Sequence, residues 1–442
     1  MQDSSTLLEK AVQMQRSGEF VEAAKIYDEI LAIDPDNAQA KFLQGILAHK
    51  ADHFLTMGIC NAGLFNYDKA IELFNQSIAL RPDVAQAHME LGKVLHMTGE
   101  SRSAIDSSRR ALELDPSLSE AHLVLSIALL SLGDYAEGWK EYEWRHKWER
   151  INHIERAFSQ PQWQGEPLEG RTILIHTEQG FGDTLQFVRY VPLVAKAGGR
   201  VILEVHPALF PLLQHTPGAA QCLCAGDALP EFDLQCPLMS LPLAFATTLQ
   251  SIPKIIAIVS PSTNKPAPPH AAPDKPRVGL VWAGNKDHPA DNLRSLDLKQ
   301  LAPLWRLADR AQFVSLQIGP VESQIAEAQL PFVLENPVAS VKDFADTAQI
   351  IAGLDLVIAV DTAVAHLAGS MQKPVWVLIS HLPEWRWGLT DETTPWYPTA
   401  RLLRATRRGG WPELLDRLAT ELEDYLGAAG KLSLPSFSSS RT

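Results

Sequence analysis

Cysteine is scarce: the 442 residues hold only Cys60, Cys222, Cys224 and Cys236, and no two form a CxxC pair. That argues against a disulfide framework or a thiolate zinc site. Basic residues are also few. Lys and Arg total 39 against 52 Asp and Glu, a net charge of −13 at pH 7, whereas a dedicated nucleic-acid binder presents a basic face. No apolar run approaches the ~18 residues of a spanning helix. Met1 to Ser5 shows no basic stretch leading into an apolar core, so no secretory signal is expected. These absences leave a globular chain expected in the cytoplasm, long enough at ~150 residues each for about three domains.

Proline is absent from most of the first third. Residues 1–150 hold only Pro35, Pro82 and Pro116 of 30 prolines, and only Trp139, Trp144 and Trp148 of 11 tryptophans. Helix interiors exclude proline, which lacks an N–H and clashes with the preceding turn, so this part is expected to be helical. The three prolines stand 47 and 34 residues apart, and Phe20, Tyr67, Ser101 and Tyr135 follow steps of 47, 34 and 34. A fixed step marks a repeat array. Each unit carries a small residue and, four places on, a usually bulkier one: Ala23/Tyr27, Ala70/Phe74, Ala104/Ser108 and Gly138/Tyr142. Met57-Gly58, Leu91-Gly92 and Leu125-Ser126 hold matching places in the preceding helices. This pattern resembles the tetratricopeptide repeat, with three clear units and a degenerate fourth in which Arg150 takes the proline's place. The 13 extra residues of the longer step, around Leu43 to Asp52, lengthen one helix or add a turn. Such repeats stack into a curved surface for a polypeptide; a spacer or dimerisation arm is the alternative. Residues 1–150 carry 15 basic and 23 acidic residues, a charge of −8 that suits a neutral or basic client.

From residue 151 the pattern changes to α/β. A junction rich in Pro, Gln and Gly (160–167) leads to a strand at 172–176, a glycine turn, a helix to about Ala197 and a strand at 201–205, a βαβ order. The turn, Gly180-Phe181-Gly182-Asp183, fails the GxGxxG fingerprint, yet its glycines let a ligand approach the backbone at a strand end. Asp183 either caps the helix as its N-cap residue or faces the crevice. A Pro/Ser/Ala-rich linker at 260–273 precedes a second half with strands at 278–282, 313–317, 356–360 and 375–379, apolar enough to predict a parallel sheet buried on both faces. Asp361-Thr362-Ala363 follows the third of these and opens a helix whose free N–H groups and dipole favour phosphate. His366, one turn on, is either a ligand or an ordinary buried histidine.

The ordered set Glu178 to Asp183, Trp282-Ala283-Gly284-Asn285 with Arg294-Ser295, Val360 to His366, and Trp385-Arg386-Trp387 with Pro395-Trp396-Tyr397-Pro398 resembles bacterial GT-B glycosyltransferases of the heptosyltransferase-like kind, in the version fused to tetratricopeptide repeats. The resemblance implies an all-α repeat solenoid (1–150), two Rossmann-like halves (151–265 on the acceptor side, 275–428 on the nucleotide-sugar side) and a disordered tail (429–442). It implies an inverting transferase in which Asp183 is the general base. The expected donor and phosphate contacts are Gly180, Gly182, Thr184, Lys286, Arg294, Ser295, Asp361, Thr362, Ala363 and His366. Trp385 and Trp387 are candidate walls of the sugar site, with burial in the core as the alternative. No DxD pair marks a metal, so metal-independent chemistry without a cofactor is expected. Ile318 stands where relatives often carry a lysine, which weakens the case for phosphate contacts from that loop. Asp346-Thr347 is read as a helix cap, with contact to the ribose as the alternative. The expected partners are a nucleotide-sugar and a protein client on the repeats, such as flagellin or another surface protein. The alternatives are a non-catalytic adaptor that kept the fold, or transfer to lipopolysaccharide core.

Overall fold

The computed structural model describes residues 4–148, 158–256, 258, 275–288, 291–381 and 384–429. The chain divides into two compact units, Met1–His153 and Ile154–Thr442. The expectations for Arg150, for the linker at 260–273 and for a tail from residue 430 fall outside the described residues.

The first unit is four helix pairs: α1 (Ser4–Ser17) with α2 (Phe20–Ile33), α3 (Ala38–Gly63) with α4 (Tyr67–Leu80), α5 (Ala85–Met97) with α6 (Ser101–Leu114), and α7 (Ser119–Ser131) with α8 (Tyr135–Tyr142). The second helix of each pair starts at Phe20, Tyr67, Ser101 and Tyr135, as the spacing predicts. The extra 13 residues lengthen α3, which runs for 26 residues. The small residues act as the periodicity requires. A Cβ on Gly58 would lie 2.5 Å from the Phe74 ring, and one on Gly92 would lie 2.8 Å from Ser108 Oγ, so neither pair of helices could approach as closely with a larger residue. A left-handed turn residue joins the helices of each pair: Gly18 (φ 91°), Phe65 (φ 62°), Gly99 (φ 91°) and Gly133 (φ 84°). Phe65 is the bulky exception at a place that suits glycine.

The second unit holds two parallel sheets. The first has order β3-β2-β1-β4, from β1 (Thr172–His176), β2 (Arg200–Val205), β3 (Ala219–Cys224) and β4 (Leu234–Pro237). The second has order β6-β5-β7-β8-β9, from β5 (Arg277–Val281), β6 (Gln312–Ser315), β7 (Leu356–Val360), β8 (Val375–Ile379) and β9 (Ala400–Arg404). Every pairing is parallel. The sequence expectation covers β1, β2 and β5 to β8 but omits β3, β4 and β9. The core strands β5, β7 and β8 are buried along their whole length, and β5 packs beneath Leu298, Leu301 and Leu304. Four helices matter for the site or the core: α9 (Phe181–Phe187), α10 (Phe344–Ala352), α11 (Ala363–Ser370) and the closing helix α12 (Trp411–Ala429). Residue 429, expected in the tail, ends α12. Among the described residues no helix is long and apolar enough to cross a membrane.

Candidate functional site

The two halves of the second unit meet where α9 lies against α11. Gly182 makes this possible: a Cβ there would stand 2.8 Å from His366 Cδ2. The glycine turn after β1 and the strand end after β7 therefore share one crevice. Ser370 Oγ donates to Leu185 O across the same junction at 3.4 Å, and Arg189 Nη1 donates to Trp396 O at 2.9 Å.

Asp183 is not an N-cap residue. Gly180 is the N-cap of α9, and Asp183, three places on, accepts the Gly180 N–H at 3.0 Å through Oδ2. Its other oxygen, Oδ1, accepts from Arg386 Nη2 of the second half. Arg386 also donates through Nη1 to Glu384, and its backbone N–H reaches Glu384 Oε2 at 2.8 Å. The guanidinium lies 4.2 Å from the Trp385 ring centroid. Burial pushes Glu384 up to about 7, against the pull of Arg386 and together with the charge of Asp361.

At the β7 end, Thr362 is the N-cap of α11 but makes no capping bond, and its buried Oγ1 has no partner. The first N–H groups of α11, those of Ala363 and Val364, are among the four that a helix cannot satisfy internally. Arg294 Nη1 donates to Asp361 O at 3.0 Å and its Nε lies 3.5 Å from Asp291 Oδ1, which ties the β5 loop to the end of β7. His366 is buried. Its Nδ1 lies 2.9 Å from Tyr397 Oη, and its Nε2 lies 3.9 Å from Asp361 Oδ1. Burial, with Arg386, Arg189 and Arg294 nearby, holds His366 well below the usual histidine range, so it is neutral. Tyr397 is pushed up to about 12 by burial and keeps its proton.

Several expected contacts take other roles. Thr184 is 1% exposed; its hydroxyl lies 2.6 Å from Thr177 Oγ1 and 3.3 Å from Gly180 O, so α9 turns it inward, away from any donor. Ser295 Oγ accepts from Gly284 N at 2.8 Å and donates to Asp291 at 2.7 Å, which makes it a loop brace. Trp385 and Trp387 are core residues rather than open walls: Trp385 packs near Phe187 and Trp396, and Trp387 packs on His366 and Tyr397. Lys286 is exposed on the β5 loop. Gln317 is buried and accepts the N–H groups of Trp282 and Ala283, while Ile318 is exposed. Asp346 accepts the Lys342 N–H at 3.0 Å, a cap as expected, although Asp343 is the N-cap of α10. Glu384 and Arg189 were not singled out by sequence, and Arg386 and Tyr397 stood there only as members of motifs, with no role assigned. Among the described residues no group of three or more His, Cys, Asp or Glu is placed to hold a metal.

Residues 322–409, which include the strand end, Glu384 and Arg386, match the family model for glycosyltransferase family 9 (heptosyltransferase). Residues 64–119 match that for a tetratricopeptide repeat. Two separate stretches of the chain thus match, one a tetratricopeptide repeat and the other part of a family 9 glycosyltransferase. Protein FlbA of Caulobacter vibrioides is 27% identical over 401 residues, 83% of this chain and 66% of that protein. The peroxisomal targeting signal receptor of Candida albicans is 30% identical over 87 residues, 20% of this chain and 15% of the receptor. The chain thus spans less than two thirds of the length of these curated relatives. A solved structure of a Thermobaculum terrenum O-GlcNAc transferase mutant aligns with 97% of this chain and 94% of its own, at 18% identity and a TM-score of 0.28.

Proposed function

We propose that this chain moves a sugar from a nucleotide-sugar to an acceptor hydroxyl with inversion, and that its repeats present a protein acceptor. The observation that carries the reading is the seating of Gly182 against His366, which brings a carboxylate and a helix N-terminus into one crevice. The acceptor oxygen attacks the anomeric carbon as its proton passes to Asp183. The bond from that carbon to the diphosphate oxygen breaks, and the electron pair leaves with the diphosphate. The Ala363 and Val364 N–H groups and the unpartnered Thr362 hydroxyl receive that charge. Arg294 fixes the strand end from beneath, and Lys286, exposed on the β5 loop, adds positive charge at its rim. In this reading no metal is needed, because backbone donors and arginine supply the positive field.

The protein acceptor rests on the repeats, whose stacked helices form the kind of surface that holds extended polypeptide. A receptor named for targeting signals shares similarity over 87 residues, and the acidic balance of the first 150 residues suits a neutral or basic client.

A second reading is favoured by one observation. Both oxygens of Asp183 are occupied, by Gly180 N–H and by Arg386, which also suits a non-catalytic adaptor. A thermal-shift panel of nucleotide-sugars separates the two: a ligand at 100 times its dissociation constant stabilises the domain by about 2.7 kcal/mol. No shift with any donor at millimolar concentration favours the adaptor.

A further inference from the structure

A diphosphate entering this crevice meets carboxylates as well as cations. Asp183, Asp291, Asp361 and Glu384 line it or stand just behind it, and of the three arginines near them Arg294 is engaged with Asp361 O and Asp291, and Arg189 with Gln186 O and Trp396 O. Arg386 is held differently. It comes from the irregular segment after β8 rather than from a helix or strand. It bridges two carboxylates from opposite halves, and its flat face lies on Trp385. Side-chain exposures of 14% for Arg386, 18% for Asp183 and 28% for Glu384 put this bridge at the crevice wall, within reach of solvent. Arg386 is also close enough to His366 to oppose its protonation.

Resting on the transferase reading above, we propose that Arg386 is a catalytic residue shared between Asp183 and the donor: it turns from the Asp183 carboxylate to the diphosphate as the nucleotide-sugar binds, which frees Asp183 to take the acceptor proton. The guanidinium offers a planar fork that fits a carboxylate or a phosphate equally well, so the exchange keeps its hydrogen bonds while the partner changes. As the bond from the anomeric carbon to oxygen breaks, the electron pair settles on the leaving diphosphate beside Arg386, and the acceptor proton remains on Asp183. Atoms and charge balance with no further reactant. Glu384 is the positioning residue, since its carboxylate accepts from both the Arg386 guanidinium and the Arg386 backbone N–H.

Glu384 gives this proposal a pH signature. The charged groups facing it are Arg386 beside it, Asp361 at the β7 end, and Arg404 of β9; Asp183 faces it through Arg386. Below about pH 7 Glu384 is protonated and its hold on Arg386 weakens, so a nucleotide-sugar binds more tightly at pH 6 than at pH 8. The diphosphate of such a donor is esterified at both ends and keeps its charge across that range.

The test is calorimetry with whichever of UDP-glucose, UDP-N-acetylglucosamine, GDP-mannose, dTDP-glucose and ADP-glucose gives the largest thermal shift, using the full chain. Arg386→Gln is expected to weaken affinity by about tenfold and Arg386→Lys by about threefold, since Lys keeps the charge and loses the fork. Glu384→Gln is expected to tighten binding at pH 8 by about threefold and to flatten the difference between pH 6 and pH 8, an effect that a merely structural role would not produce. Wild-type affinity in folded Arg386→Gln, or in Arg386→Lys should the first variant not fold, overturns the proposal. So does a Glu384→Gln protein that binds more weakly than wild type. If the wild-type chain binds none of the five donors, the transferase reading itself falls, and that outcome is distinct from loss of the Arg386 role alone.

Discussion

His88 and His122 sit 34 residues apart, at the same place in successive repeats, and each donates its Nε2–H to the carbonyl of the proline that ends the pair before it: Pro82 at 3.0 Å and Pro116 at 3.1 Å. These two buried histidines of the repeat unit thus recur with the period and each satisfies a neighbour a few residues away. In the second unit buried polar groups converge instead. His366, Arg189, Tyr397 and Glu384 come from α11, the turn after α9, the segment before β9 and the segment after β8, and they gather within one junction. Burying charge without a full set of partners is costly. Polar burial satisfied locally and at regular intervals is a device of the solenoid, whereas a cost concentrated at a single crevice is a mark of chemistry.

The largest expected effect follows from that contrast. Asp183→Asn keeps an oxygen to accept the Gly180 N–H but cannot take a proton at neutral pH. If Asp183 is the base, turnover falls by roughly 10²–10⁴ while nucleotide-sugar affinity in titration calorimetry is kept or tightened, since Arg386 is released from the carboxylate. A folded Asp183→Asn enzyme with wild-type turnover would return Asp183 to the status of a cap like Asp346.

Gly182→Ala tests the junction itself. The new Cβ would stand 2.8 Å from His366 Cδ2, and that ring is fixed by Tyr397 on one side and Trp387 on the other. Overpacking of this kind costs about 1–3 kcal/mol. Here it should also pry α9 from α11, with a drop of at least tenfold in turnover and little change in amide exchange of the repeats. Equal loss of protection in both units would show that the contrast between them is false.

The same contrast explains how much was legible in the sequence. In the repeats, each contact lies within one or two periods of the residues that make it, so spacing alone placed the helix starts and the small residues at Gly58 and Gly92. Strands β7 and β8 match their apolar runs residue for residue, because a strand buried on both faces has an unbroken apolar sequence. The omitted strands lack that signature: β3 is a partly exposed edge of Ala, Gln and Cys, β4 has four residues ending in proline, and β9 begins and ends near arginine. In the site, the glycine turn and the strand end were visible as local motifs. Arg386 was visible only as part of the Trp385-Arg386-Trp387 motif and its role was not, because its partner Asp183 lies 203 residues away and no local pattern encodes that meeting. Thr184 was misassigned for a related reason: adjacency to a motif says nothing about which way a helix turns its next residue.

A buried histidine of the repeats supplies an acid-sensitive prediction. His96, on α5, has Nδ1 3.2 Å from Ser101 Oγ and no partner for Nε2, and burial lowers it to about 4. The unfolded chain protonates near 6.5, so between these values it binds more protons than the folded one. Stability is therefore complete above pH 6.5 and is lost as pH falls toward 4, by about 3 kcal/mol in all. Hydrogen exchange of α5 and α6 peptides at pH 7 and pH 5 should show this loss, and His96→Leu should remove it. An unchanged pH response in that variant would assign the acid sensitivity to other groups.

The smallest expected effect separates local from shared stability. Asn37 caps α3, its side chain accepting the Ala40 N–H at 3.0 Å. Asn37→Ala should cost about 1 kcal/mol, within the ~0.5–2 range for lost N-caps, and Asn37→Asp should cost little because aspartate caps nearly as well. Repeat units are coupled chiefly to their neighbours, so the loss should appear as faster amide exchange in α2, α3 and α4 and fade toward α7. Nucleotide-sugar affinity should not move. A change in that affinity on Asn37→Ala, absent on Asn37→Asp, would mean that the first repeats are coupled to the donor site, and the division between a periodic scaffold and a convergent centre would have to give way to one cooperative whole.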